Sequence, residues 1–483
     1  MLRIAAGAAA ALTLPSSRVL ASTSPSSLTS KRPALQDRKF HSAAVETYLT
    51  SVSGKIGDPE LAWLFQNCYP NTLDTTIEFG TFEGKPDTAV ITGDIPAMWM
   101  RDSSAQVWPY LSLAAKDVEL RRMLEGVIRR QARCILIDSY ANAFMADLDA
   151  PPLEWSRTDI TDMKRGVGER KWELDSLCYP MRLSYGYWRA TGDTSPFDET
   201  WRCAMKLALK TMRVQQRKQG LGPYHFQRTS KIATETLPCN GYGNPVQPVG
   251  LIASGFRPSD DACTFPFLVP SNLFAVTALG YLAQMANEVL HDSTLANEAA
   301  ALSAEVASAL QQHAVAQTPQ GTIWAYEVDG YGSQLLMDDA NIPSLLALPY
   351  IKSSPDPALY ARTRSFVWSE RNPWFFQGSS GEGIGGPHEG KDMIWPMAIT
   401  TYALTSQSEK EIAHALSMLK HASAGSGFMH ESFNRNDATK FTRSWFAWAN
   451  SLFGELVANL STTHPALLQT VPSLMNPPAA HHL

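Results

Sequence analysis

The sequence predicts an all-α fold, an (α/α)6 barrel of six helical hairpins with small β-hairpins in the connecting loops. Three observations carry that expectation. Amphipathic runs of helical length alternate along most of the chain with two kinds of connector, one very short and one long. Nearly all the chemically unusual sequence lies in the long connectors, each just before the first helix of a hairpin. The hairpins share no common signature of the kind that marks a helical solenoid. With first helices inside and second helices outside, every long connector emerges at the same end, where a funnel can hold a site.

In chain order, the run "VWPYLSLAAKDVELRRMLEGVIRRQARCILIDSY" from Val107 reads as two helices or one broken helix. "LDSLCYPMRLSYGYWRA" and "FDETWRCAMKLALKTMRVQQR" pair across "TGDTSP", where Gly192 suits a helix end and Pro196 a first turn. "SNLFAVTALGYLAQMANEVL" meets "STLANEAAALSAEVASALQQHA" at His291 and Asp292, and "NIPSLLALPYI" meets "ALYARTRSFVWSE" across "KSSPDP". "DMIWPMAITTYALTS" precedes "EKEIAHALSMLKHA", which opens on a capping box of Ser408 and Glu411. "TRSWFAWANSLFGELVANL" then closes the ring against "AAVETYLTSVSG" or "PELAWLFQNCY" near the start. The alternating stretches "TTIEF", "TAVIT" and "TIWAYEV" read as small hairpins within connectors.

Composition sets the class of partner. A net charge of -5 with no long basic run disfavours nucleic acid. Residues 1–36 form a leader and Ser/Pro-rich linker: Arg3, the apolar run "IAAGAAAALTL" and "VLA" before Ser22 suit a secretory signal, and the Arg and Ser content also suits an organelle transit peptide. The apolar run is too short to span a bilayer. Residues 37–465 are then a single catalytic domain, and 466–483 a C-terminal tail. The six cysteines show no CxxC and no paired zinc spacing, so buried thiols are the simplest account.

The long connectors bring acids from every direction. They carry Asp94 and Asp102, Glu173 and Asp175, Asp260 and Asp261, Glu327, Asp338 and Asp339, Glu389 and Asp392, and Glu431 and Asp437. Among them stand Trp99, Trp172, Tyr326, Tyr331, Phe256 and Phe265. Carboxylates for hydroxyl edges and flat rings for C–H faces are what a sugar site needs. Cleaving a glycosidic bond takes one carboxylic acid to protonate the leaving oxygen and a second carboxylate across the ring. The plainer account of an acid before a helix is capping, and for Asp102, Asp175 and Asp392 taken singly it is the stronger one. The tandem Asp260–Asp261 resists it, because adjacent like charges on an apolar segment each need a role; Arg257 is placed to pair with one and leave the other with a raised pKa, as a general acid requires. His430–Glu431 follow the glycine-bearing "AGSGFM", which can seat a carboxylate deep in a funnel. No metal or cofactor is expected: "HEGKD" at His388 misses HExxH, "GEGIGGPHEG" lacks the Lys-Ser/Thr of a P-loop, and no GxSxG is present.

These motifs resemble the glycoside hydrolase family 125 exo-α-1,6-mannosidases. The resemblance rests on "GDIPAMWMRDSSAQVWPY", "KWELDSLCYP", "SGFRPSDDA", "YEVDGYGSQLLMDDANIPSLL", "GGPHEGKDMIWPM" and "MHESFN", six ordered motifs spanning most of the chain after the leader. It implies an (α/α)6 barrel and metal-independent, inverting removal of a terminal α-1,6-linked mannose from mannose-containing oligosaccharides or glycoprotein glycans. It also implies a general acid at the Asp pair, Asp260 favoured over Asp261, and a general base at Glu431. Arg101, Asp102 and His388 would hold the terminal sugar, while Trp99, Arg257 and the loop aromatic Tyr331 shape the pocket. The alternatives are a glucosidase- or trehalase-like inverting barrel, a calcium-dependent α-1,2-mannosidase, and a catalytically inactive glycan-binding protein.

Overall fold

The computed structural model describes residues 28–474. Its helices start with α1 (Ala43–Ser53), capped by the Ser42 hydroxyl, α2 (Pro59–Cys68), capped by Asp58 with a proline in the first turn, and the short α3 (Asn71–Thr75). α4 (Met100–Val107) runs on into a 3-10 stretch, because Pro109 has no amide to continue the α-helical ladder, and Asp117 caps α5 (Val118–Ile137). α6 (Asp175–Thr191) ends on Gly192 at φ 70, and Asp198 caps α7 (Glu199–Gln215). After the single turn α8 (Pro238–Gly241) come α9 (Val269–Glu288) and α10 (Ser293–His313), then α11 (Pro357–Val367), α12 (Pro396–Leu404), α13 (Glu409–Ala422) and α14 (Ala447–Thr463).

The inner ring runs α4, α6, α9, residues 342–352, α12, α14 and back to α4. Helices α5, α7, α10, α11 and α13 lie outside it, with α1 and α2 completing the outer layer beside α13 and α14. This is the (α/α)6 barrel that the hairpin order predicts. Apolar side chains fill the space between the layers, and the middle of the ring is plugged. Tyr179 of α6 meets Phe274 of α9 edge-on at 5.0 Å and Trp448 of α14 at 6.0 Å. All three are fully buried, so the barrel is solid beneath its upper end.

Three expectations need correction. The fourth inner member, "NIPSLLALPYI", is a run of turns and not a helix. The buried Asp338 takes the amides of Leu345 and Leu346 at 2.8 and 2.9 Å, and Pro349 offers no amide to extend a ladder. Side-chain bonds hold the run in the ring instead, from Tyr179 to the Ile342 carbonyl at 2.9 Å and from Tyr350 to Glu455 at 2.8 Å. The capping box at Ser408 is only half formed: its hydroxyl accepts the Glu411 amide, while the Glu411 carboxylate turns to Arg364 at 2.8 Å and Ser406 at 2.6 Å. Folded sequence also runs past both domain limits. Arg32 binds Asp74 at 2.7 Å and Glu46 at 3.0 Å, and the Val471 amide donates to Asp58 at 3.0 Å. Residues 1–27 of the leader assigned to 1–36, and residues 475–483 of the tail assigned to 466–483, lie outside the described residues.

Small antiparallel sheets sit in the connectors, as the alternating stretches predict, at 77–82 with 85–90 and 315–318 with 321–324. Three further sheets stand over the ends of the inner helices. They join Ala97–Trp99 to Ala143–Met145 and Val167–Glu169, Phe267–Leu268 to Glu327–Val328 and Gln334–Leu335, and Met393–Ile394 to Ser432–Asn434 and Asp437–Thr442. No described helix is long and apolar enough to cross a membrane.

Candidate active site

A cavity of about 610 Å³ opens above the N-termini of the inner helices. The strand Ala97–Trp99 feeds directly into α4, so Trp99, Arg101 and Asp102 reach its floor together. Arg101 is buried and stands among three carboxylates: Nη1 donates to Glu173 at 2.7 Å, Nη2 to Asp260 at 3.4 Å, and Nε lies 3.6 Å from Asp102. The Asn142 side-chain amide contacts Glu169 at 3.0 Å, Glu173 at 3.1 Å and Asp260 at 3.4 Å. Burial raises the Asp102 carboxyl to about 6, opposed by Arg101.

Asp260 sits in the left-handed region at φ 67, inside a turn closed by Arg257 N to the Asp261 carbonyl at 2.7 Å. That strained turn separates two neighbours of identical type. Asp260 lines the cavity, whereas Asp261 is buried away from it beside Thr234 and Asp339. Burial alone would raise the Asp260 carboxyl, but Arg101 and then Lys171 outweigh it and hold the group down to about 2. Burial pushes its partner Glu173 well up, against Arg101 and with Asp260 adding to the effect. The two carboxyls share Arg101 and Asn142, so they titrate as a pair, with Glu173 pushed up by burial and Asp260 held down by Arg101.

Glu431 reaches the same cavity at the head of the strand Ser432–Asn434. Gly427 at φ 90 permits the approach, since a side chain there would strike Trp63 and Asn67. Arg443 donates to Glu431 at 3.3 Å and is itself held by the Thr92 carbonyl at 3.0 Å and by Asp94. His430 lies flat on Phe441 at 3.6 Å, with its ring nitrogens 3.2 Å from the Arg443 and Ser423 carbonyls, and so fixes the hairpin that carries Arg443. Burial lifts the Glu431 carboxyl to about 7, opposed by Arg443 and His388 and helped by Glu389. His388 reaches solvent through the cavity yet stands deep within its walls; burial disfavours its charge, and Asp261, Asp260 and Glu431 together overcome that and raise its pKa.

Several buried polar atoms on cavity residues have no hydrogen-bond partner in the protein: Asp102 Oδ2, Trp99 Nε1, Asn341 Oδ1 and Trp395 Nε1. Buried polar groups are nearly always paired, so such a concentration fits a ligand with many hydroxyls. Trp99, Trp395, Phe446 and Trp448 supply flat apolar faces beside them.

Comparison with known proteins decides the family. The model of the metal-independent alpha-mannosidases (GH125) matches residues 58–458. The chain belongs to this family. The GH125 chain is 42% identical over 470 residues to the meiotically up-regulated gene 157 protein of Schizosaccharomyces pombe, covering 92% of itself and 91% of that protein. It is also similar to a metal-independent α-mannosidase of Streptococcus pneumoniae, solved in a non-productive substrate complex with α-1,6-mannobiose. There the TM-score is 0.83 at 39% identity, over 87% of this chain and 99% of the other. The GH125 chain is thus an α-mannosidase-family glycosidase with the barrel described above.

Of the residues expected at the site, Asp260, Glu431, Trp99, Arg101, Asp102 and His388 meet at the cavity, and three do not. Asp261 is turned away. Arg257 pairs with Glu327 at 2.6 Å and lies over Tyr326, so it braces the acidic loop from behind and pairs with neither aspartate. Tyr331 is 65% exposed on a turn held by Asp329 and lies off the cavity wall. Trp172, Tyr326 and Phe256 are buried scaffold. Asp102 and Asp175 lie in the first turns of α4 and α6, where their charge faces the helix N-terminus, and Asp392 pairs with Arg435 at 3.0 Å. Asn142, Arg443, Asn341 and Trp395 were not picked out, although Asn341 and Trp395 fall inside the quoted motifs "YEVDGYGSQLLMDDANIPSLL" and "GGPHEGKDMIWPM". Among the described residues, His388, Glu389 and Glu431 bring ligand-type atoms within 4.8 Å of one another. The family that matches is described as metal-independent.

Proposed function

We propose that the protein removes terminal α-1,6-linked mannose from mannose-containing glycans with inversion of configuration. The observation that carries this is the presence of Asp260 and Glu431 on the wall of one cavity that is also lined by tryptophans and by polar atoms without hydrogen-bond partners in the protein. The α-1,6-mannobiose bound by the Streptococcus pneumoniae relative supports the linkage. The basic start, the short apolar run and "VLA" before Ser22 support a secretory leader, which suits a glycan substrate.

In the reaction Asp260 gives its proton to the glycosidic oxygen as the C1–O bond breaks. Glu431 takes a proton from a water that attacks C1 from the other face, releasing β-mannose. Arg101, Asp102 and His388 hold hydroxyls of the sugar that is released. Arg101 and Lys171 hold the Asp260 carboxyl low, so its acid role requires the bound sugar to desolvate it and raise its pKa. The raised carboxyl of Glu431 favours a second reading, in which the two roles are exchanged.

Proton NMR of the first-formed anomer from α-1,6-mannobiose tests the main reading. β-Mannose is expected; α-mannose first would overturn inversion, and no release would overturn the substrate.

The acid limb of kcat/KM is expected near pH 7, where Glu431 loses its proton. Arg443 favours the carboxylate, so Arg443→Met raises the Glu431 pKa and moves that limb to higher pH. A pH–rate profile that left the acid limb in place would show that Glu431 does not set it.

A further inference from the structure

The general acid protonates the leaving oxygen, so whatever lies outward from Asp260 faces the departing part of the substrate. Lys171 Nζ donates to the Asp260 carbonyl at 2.8 Å and lies 3.4 Å from Glu235. Arg228 binds Glu235 at 2.8 Å, Asp159 at 2.7 Å and Glu169 at 2.9 Å. Past these charges the cavity ends at two large apolar side chains, Trp155 at 46% exposure and Ile232 at 59%.

A single exposed apolar residue needs no explanation. Trp155 differs because it is anchored. Its indole Nε1 donates to Glu169 at 3.2 Å, and Glu169 is held by Arg228 and by the same Asn142 amide that touches Asp260. A hydrogen-bonded path, Trp155 to Glu169 to Asn142 to Asp260, therefore fixes the ring relative to the acid. A ring held open to solvent at the mouth, next to a carboxylate and a guanidinium, has the composition of a sugar platform.

We propose that Trp155 stacks against the sugar on the reducing side of the scissile bond, with Glu235 and Arg228 meeting its hydroxyls. This rests on the mannosidase reading with Asp260 as the acid. It makes the mouth of the cavity the part that recognises which glycan is being trimmed.

The test compares α-1,6-mannobiose with α-mannosyl fluoride, which carries no leaving sugar. Loss of one aromatic contact predicts that Trp155→Ala lowers kcat/KM about tenfold more on mannobiose than on the fluoride, mainly through KM. Trp155→Phe should recover most of that difference. Equal losses on both substrates, or none on mannobiose, would overturn the platform alone. A wild-type protein inactive on both would overturn the mannosidase reading and the platform with it.

Discussion

Asp260→Asn is expected to lower kcat/KM on α-1,6-mannobiose by at least about a hundredfold and to spare much of the activity on α-mannosyl fluoride, because fluoride departs without a proton. Glu431→Gln should lose activity on both substrates, since the attacking water has no base. Azide, which needs no deprotonation, should restore turnover of the fluoride by Glu431→Gln and yield β-mannosyl azide. The two variants then give opposite patterns. If Asp260→Asn were the one rescued by azide and Glu431→Gln the one that spared the fluoride, the roles would be exchanged, as the raised Glu431 carboxyl allows. Near-isosteric amides keep the shape of the site, so circular dichroism of both variants should match the wild type.

The largest effect on stability is expected at Arg101. It is the cation nearest to Glu173, Asp102 and Asp260 together, and all four residues lie in or against the floor. Arg101→Met fills a similar volume but leaves buried carboxylates without their partner. Breaking such a pair from one side costs about 3–5 kcal/mol. Arg101→Lys keeps the charge and loses the two-pronged donation to Glu173 and Asp260, so it should fall between. Urea denaturation would measure both, and a loss below about 1 kcal/mol for Arg101→Met would mean that the carboxyls protonate and repack at little cost. Asp260 would also lose the main group that holds it ionised, so residual activity in Arg101→Met should show an altered pH profile.

The barrel was legible because helix periodicity and connector length are local properties, and because Asp260, Glu431, His388 and Arg101 stand in alternate connectors. What stayed hidden depends on pairing at a distance. Arg257 was matched with its sequence neighbours, but its partner Glu327 comes from a strand 70 residues on. Asp260 and Asp261 are indistinguishable in sequence; a left-handed φ at one of them decides which faces the cavity. Tyr331 lies in an aromatic, acidic connector like the others, and only the tight turn around Asp329 reveals that it points outward. The helix expected at 341–351 was overridden by Asp338, whose buried carboxylate accepts two amides that a helix would otherwise have used. Asn142 stands at the start of the long connector between α5 and α6, well ahead of the acidic stretch "KWELDSLCYP" at its end, and only folding brings the two together.

The plug of Tyr179, Phe274 and Trp448 gives the cavity a floor and no rear exit. A mannose cut off above it can leave only by the mouth, where the shortened glycan still sits. The polymer must therefore let go before the monosaccharide can escape, and each cycle begins with a fresh encounter. On the proposed reading, trimming is expected to be distributive: every partly shortened chain returns to solution, where it competes with longer ones for the same opening.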